Sequence, residues 1–213
     1  MELGRLLAWP AALDQHEREV VELFGRQLSA VAANRRLQDE LERIALTDSL
    51  TGVFNRRYFD MVFEQSSARQ KRSEDRHFGL ISIDINGLKP TNDLYGHEVG
   101  DALIRTAVEL ISGAMRHSDI ICRIGGDEFA VLVIDASVQA CEHLVARLEE
   151  RQRDAVCEVE SPNGRLHLPV SFSVGYASSD ETPTDALQRV ADQRMYARKQ
   201  AHYAAGPVTQ GEH

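Results

Sequence analysis

The sequence predicts an α+β fold in which helices pack around a mostly antiparallel sheet, preceded by a long coiled-coil helix. Three observations carry this. Segments with helical spacing alternate with short apolar runs in the order helix, strand, helix, hairpin, helix, strand, helix. Two of those runs, 120–124 and 129–134, are joined by the glycines and acids of Gly125-Gly126-Asp127-Glu128, a hairpin pattern. Residues 12–45 contain no proline and one glycine, Gly25, with charges interleaved among apolar residues at helical spacing.

In that first segment Leu23, Ala30, Leu37 and Ile44 recur every seven residues, and Gln27, Asn34 and Leu41 follow the first three at four-residue offsets. This is a coiled-coil seam whose polar members weaken it but fix register and a two-stranded state. Val20, Phe24, Leu28 and Val31 form a second apolar stripe on another face. Thr47-Asp48-Ser49-Leu50-Thr51-Gly52 ends the seam, because hydroxyl and carboxylate side chains favour caps and turns. Residues 55–67 read as a helix, and 78–85, almost wholly apolar, as a strand buried on both faces. A helix follows over 98–115, then the hairpin, then a helix over 138–151. The alternation of Leu166, Leu168, Val170, Phe172 and Val174 reads as one strand over 166–174, and a last helix covers 184–201. The expected divisions are a stalk over 1–46, a catalytic domain over 47–204 and a disordered tail over 205–213.

A chain of 213 residues with 43% hydrophobic side chains can bury a real core. Its formal net charge of −9 argues against non-specific binding to nucleic acid or anionic lipid, so a phosphate ligand must be held by local groups or metals. Cys122, Cys141 and Cys157 are odd in number and widely spaced, as in reduced thiols of a cytoplasmic protein. No apolar stretch reads as a signal peptide or membrane anchor.

Asp84 is the first chemical anomaly. A carboxylate ending so apolar a strand needs a cation, a cluster of donors or water. The hairpin tip is the second: its glycines let a ligand approach the backbone, and two carboxylates follow. Pairing of the hairpin beside the Asp84 strand would set one of Asp127 and Glu128 against Asp84, a hard-oxygen pair suited to Mg²⁺. Taken alone, Gly-Gly-Asp is a common turn.

The wider set of residues changes that balance. Gly125-Gly126-Asp127-Glu128-Phe129 resembles the motif that names the GGDEF family of diguanylate cyclases, and residues 46–203 look like a member. The supporting stretches are 46–52 with Asn55-Arg56-Arg57, Asp84 through Lys89 to Asn92-Asp93, Tyr95-Gly96-His97 with Gly100-Asp101, and Ala191-Asp192 with Met195-Tyr196 and Lys199. The resemblance implies a nucleotidyl cyclase or polymerase-palm fold and condensation of two GTP into cyclic di-GMP, with two pyrophosphates released, by a homodimer joined through the stalk. It implies two metal ions per half-site, Mg²⁺ with Mn²⁺ as the alternative, bound by Asp84, the Ile85 carbonyl, Asp127 and Glu128. Glu128 is a candidate for metal binding or proton removal.

By the same resemblance Asn92 and Asp101 read guanine. A carboxylate accepts from both the ring N–H and the exocyclic amine of that base. Lys89 and Lys199, with the backbone N–H groups near Gly87 and Leu88 and the turn glycines Gly125 and Gly126, hold the nucleotide. Arg116-His117-Ser118-Asp119 matches the family's R-x-x-D product-inhibition motif, in which Arg116 and Asp119 bind cyclic di-GMP. Without the resemblance Asn92 reads as a cap, Asp101 and the lysines as solvated residues, and Arg116 as a charge at a helix C-terminus.

Three departures from the family pattern bear on function. Asn86-Gly87-Leu88 replaces the commoner Asp-His-Phe. Pro90 is expected to stiffen the phosphate loop. His202-Tyr203-Ala204 stands where many members have Gly-Arg-Asn, which predicts weaker GTP binding through loss of one cation. Residues 14–37 also resemble the final helix of a GAF sensor domain. The competing reading is a catalytically weak or silent module that binds GTP or cyclic di-GMP; a nucleic-acid polymerase is disfavoured by the acidic balance.

Overall fold

The computed structural model describes residues 14–73, 76–161 and 164–204. The expected tail at 205–213 lies outside the described residues. The chain divides into two units, residues 1–45 and 46–213. In the first, α1 (Gln15–Leu46) is a single helix that buries none of its residues. Leu23, Leu37, Leu41 and Ile44 of the seam are exposed, as are Phe24, Leu28 and Val31 of the second stripe.

The second unit runs β1 (Phe54–Asn55), α2 (Arg56–Gln70), β2 (Phe78–Ile85), α3 (Leu88–Tyr95), α4 (His97–Ala114), β3 (Ile120–Arg123), β4 (Glu128–Ile134), α5 (Val138–Gln152), β5 (Val156–Ser161), β6 (Gly164–Pro169), β7 (Phe172–Ser178) and α6 (Leu187–Ala204). A five-stranded sheet has the order β1-β3-β4-β2-β7, antiparallel throughout except for the short parallel β1–β3 pair. The predicted fold class holds. β2 sits between two partners and all eight of its residues are buried, as its apolar run requires.

Period-two alternation divides the β2 and β4 side chains between two layers. Ile81, Ile83, Ile85, Phe129, Val131 and Val133 join the core built with α4 and α5. Phe78, Leu80, Ala130 and Leu132 face α2 and α6, meeting Phe59, Val62, Leu187 and Ala191. Burying an aliphatic or aromatic side chain is worth about 1.5–3 kcal/mol, so β2 alone anchors both layers.

β1 and β5 have no counterpart among the expected elements, α6 starts at Leu187 and not at 184, and two further differences have a clear physical reason. The run over 166–174 is two strands: β6 pairs with β5 in a separate two-stranded sheet, while β7 pairs with β2. The apolar alternation continues unbroken across the junction, so periodicity carries no sign that the partner changes. The break falls after Pro169, which has no N–H to extend a ladder, and Val170 donates instead to the Ala155 carbonyl at 2.9 Å. The second difference is α3, where a loop was expected. Pro90 lies in its first turn, where a helix leaves N–H groups without internal partners, so the proline is compatible with the helix.

Candidate active site

The acidic end of the sheet is set by strand register. In the antiparallel β2–β4 ladder Asp84 lies directly opposite Glu128, and the Ile85 N–H donates to the Asp127 carbonyl at 3.0 Å. The turn between β3 and β4 closes through the N–H groups of Ile124 and Gly125, which donate to the Glu128 carbonyl at 2.9 and 3.2 Å. A β-carbon at Gly125 would stand 2.7 Å from Glu128 Oε2 and 3.2 Å from its Cβ, so a side chain there would push the Glu128 carboxylate from its position. The neighbouring Gly126 meets nothing within 4 Å of such a β-carbon. Asp127 is half-buried and Glu128 exposed, so both remain accessible to a ligand.

A second tie fixes the turn. Arg123 donates through Nε and Nη2 to the Gly126 carbonyl, at 3.2 and 2.6 Å, and through Nη1 to Asp48 at 3.1 and 3.3 Å. Asp48 also accepts from the Thr51 N–H and hydroxyl at 3.0 and 2.6 Å. Burial works against the Asp48 carboxylate, but the hydrogen bonds from Thr51 and Arg123 outweigh it and hold its pKa below the usual range. The segment that reads in sequence as a cap therefore also braces the turn that presents Asp127. Neither Asp48 nor Arg123 stands out as functional in the sequence.

Asp84 is 4% exposed. Lys199 Nζ stands 2.7 Å from both of its oxygens, donating to Oδ2 and ion-paired with the buried Oδ1. Burial raises the Asp84 pKa and the Asp127 charge adds to the rise, against the opposing pull of Lys199. On Lys199 burial acts downward, but the hydrogen bond to Asp84 and the charges of Asp84 and Asp127 leave its pKa raised. The lysine reaches Asp84 because α6 is pinned two turns earlier, where Ser82 Oγ donates to Asp192 at 2.7 Å. One turn beyond Lys199, the Tyr203 hydroxyl accepts from the Gly87 N–H at 3.3 Å. The phosphate-binding candidates thus divide: Lys199 of α6 meets Asp84, Gly87 meets Tyr203 of α6, Leu88 packs into the core and Lys89 is exposed.

These residues fit a divalent cation. A buried carboxylate whose counter-charge is the mobile Lys199 ammonium, a second carboxylate whose charge it feels and a third directly across the ladder are hard oxygen donors of the kind Mg²⁺ takes. Among the described residues no group of three or more His, Cys, Asp or Glu side chains is placed to hold a metal ion by itself. The remaining positions would be filled by carbonyl oxygens, water or a substrate.

Asn92 lies on α3 and Asp101 on α4, where the two helices turn on Gly96; both are half-buried, and Asn92 Oδ1 has no partner. Arg116 and Asp119 stand together elsewhere. The Arg116 N–H donates to Asp119 Oδ2 at 2.8 Å, and Asp119 Oδ1 is buried without a partner. Arg116 lines a cavity of about 300 Å³ with Ser137, Gln139, His143, Leu144 and Arg147. Sequence reasoning missed His143 and Arg147. Gln139, His143 and Arg147 are four residues apart, one helix face, but nothing in the sequence says that this face meets Arg116. A larger cavity of about 510 Å³, between the end of α2 and the loop after β7, holds none of the predicted residues.

Residues 45–204 match the family described as diguanylate cyclase, GGDEF domain. The chain is 33% identical over 172 residues to the cyclic di-GMP phosphodiesterase PdeR of Escherichia coli, covering 80% of this chain and 25% of that one. It is 31% identical over 213 residues to the diguanylate cyclase DgcP of Pseudomonas aeruginosa, covering 93% of this chain and 31% of that one. In structure it resembles the coiled coil and GGDEF domain of DgcB from Caulobacter crescentus, solved in complex with c-di-GMP. That likeness has a TM-score of 0.71 and 25% identity, and covers 84% of this chain and 95% of the other. The chain spans about a quarter to a third of the length of these two curated relatives. Among the described residues no helix is long and apolar enough to cross a membrane. The family match takes in both strands that carry the acids and the helix that carries Lys199, and on that match the chain belongs to the GGDEF family of diguanylate cyclases.

Proposed function

We propose that this chain condenses two GTP into cyclic di-GMP, releasing two pyrophosphates, as a homodimer with one GTP per protomer and two Mg²⁺ ions per half-site. The observation that carries the reading is Asp84: a buried, strand-end carboxylate ion-paired with Lys199, set across the ladder from Glu128 and within the field of Asp127. Asp84, Asp127 and the Ile85 carbonyl hold the metals, and Glu128 either joins them or takes the proton from the attacking 3′-hydroxyl. Bound Mg²⁺ would supply charge stabilisation at the α-phosphoryl group. Lys199 neutralises Asp84 in the free protein and turns to the β- and γ-phosphates, beside Lys89 and the N–H groups near Gly87 and Leu88, when nucleotide and metal enter. Asn92 and Asp101 hold guanine, and a site built on such hydrogen bonds rejects a purine that leaves them unpaired.

The dimer forms through α1. Leu37, Leu41 and Ile44 are each about three-fifths exposed, and a parallel partner helix would cover them. Joining two half-sites raises the effective concentration of each for the other. Leu37→Glu with Leu41→Glu is expected to lower activity in proportion to the dimer lost, read by turnover and light scattering on the same samples. Full activity in a strictly monomeric sample would overturn the dimer. A GAF-like origin for the helix rests on the sequence resemblance alone.

The direct test is incubation of the full chain with GTP and Mg²⁺ and chromatographic detection of cyclic di-GMP, with Asp127→Ala as the control. Product formed by the parent chain and lost in the variant supports the reading. Tight binding of GTP or cyclic di-GMP without turnover identifies a silent binding module instead.

A further inference from the structure

We infer that Gly100 is a positioning residue for guanine selection: its missing side chain seats the Asn92 amide. The inference rests on the guanine-reading role proposed for Asn92. Gly100 lies inside α4, an ordinary helical position where alanine would form the better helix. No turn requires a glycine there, since its backbone is not in the left-handed region. What requires it is α3. The chain reverses at Gly96, whose φ of 88° few other residues adopt, and this lays α3 against the first turns of α4. The Gly96 N–H donates to the Asn92 carbonyl at 2.9 Å, and the Gly100 N–H to the Gly96 carbonyl at 3.3 Å. These bonds fix where Asn92 and Gly100 meet.

At that meeting point a β-carbon on Gly100 would overlap Asn92 Oδ1 and stand 2.8 Å from its Cγ. The amide thus occupies the volume that any other residue at 100 would fill. Asn92 Oδ1 is buried there with no hydrogen-bond partner, so contact with the α4 backbone, not a hydrogen bond, holds the amide. Asp101, the second guanine candidate, is the next residue along α4. One glycine therefore sets how Asn92 stands relative to Asp101. An added methyl group meets only the end of a side chain that can rotate away, so the helix tolerates it while the amide leaves its seat.

This separates selection from folding. Gly100→Ala is expected to keep or raise Tm, to raise KM for GTP about tenfold and to leave kcat within about twofold, measured on the full chain with Mg²⁺. Asn92→Ala should raise KM on its own, and Asn92→Ala with Gly100→Ala should be no worse than Asn92→Ala alone, because the methyl group then has nothing to displace. An unchanged KM in Gly100→Ala, a fall in its Tm, or additive effects in the double variant overturns the inference. If Asn92→Ala itself keeps the parent KM, the guanine reading fails and this inference fails with it. A raised KM in Asn92→Ala beside an unmoved one in Gly100→Ala overturns this inference alone.

Discussion

Two charged regions of the domain are built in opposite ways. The acidic end of the sheet is made by adjacent strands: Asp84, Asp127 and Glu128 are fixed by ladder hydrogen bonds, and Arg123 and Asp48 brace the turn from behind. The basic cavity is made by a loop and a helix face, with Arg116 beside His143 and Arg147 on α5. The acids repel phosphate and need cations first, so their chemistry is conditional on metal. The arginines can take an anionic ligand directly. The difference teaches how each region is held: strand register fixes the acids relative to one another, whereas the basic cavity depends on how a loop and a helix from two separate elements pack together.

The largest effect should come from breaking the acidic end. Asp84→Asn keeps the shape and removes the charge that the metal and Lys199 both use, so the rate of cyclic di-GMP formation should fall by about 10³-fold, with the circular dichroism spectrum unchanged. Near-normal turnover would show that the buried carboxylate is structural.

On the basic side, Arg147→Ala should weaken inhibition by added cyclic di-GMP about tenfold and leave the initial rate with GTP unaltered, read by inhibition curves beside those of Arg116→Ala. Equal inhibition in Arg147→Ala and the parent would detach α5 from the product site. At Tyr203 the comparison can be sharpened further, since its hydroxyl now takes the Gly87 N–H. Tyr203→Arg adds a cation beside Lys199 and should lower KM for GTP a few-fold, about 1 kcal/mol. An unchanged KM overturns the expectation that the missing cation weakens GTP binding.

The smallest effect concerns the brace. Asp48 is held below its ordinary pKa, so its ionised form stabilises the fold. That stability is present above the unfolded value of about 3.9 and lost as pH falls through the lower folded value. Asp48→Asn should cost about 1–3 kcal/mol at pH 7 by denaturant unfolding, and the gap to the parent should narrow as pH drops below about 4. A gap independent of pH would assign the loss to packing. Asp84 has the opposite sign. Its raised pKa means that protonation favours the fold and competes with metal, so the Mg²⁺ needed for half-maximal turnover should rise as pH is lowered towards that value.

Much of this was legible in the residues themselves. The apolar run at 78–85 could only be a strand covered on both sides, and the glycine-acid turn between two apolar runs could only be a hairpin, because local spacing and turn chemistry decide both. A carboxylate closing such a strand marked Asp84 as a candidate site residue, because a buried charge needs a partner. Tertiary structure alone decided who meets whom: that β6 and β7 leave one continuous alternation for different sheets, that Arg123 ties Asp48 to the Gly126 carbonyl, that Lys199 folds onto Asp84, and that α5 brings Arg147 to Arg116. Periodicity fixes which face a residue occupies. It does not say which other face will be laid against it, because that choice is made by the packing of layers far apart in the chain.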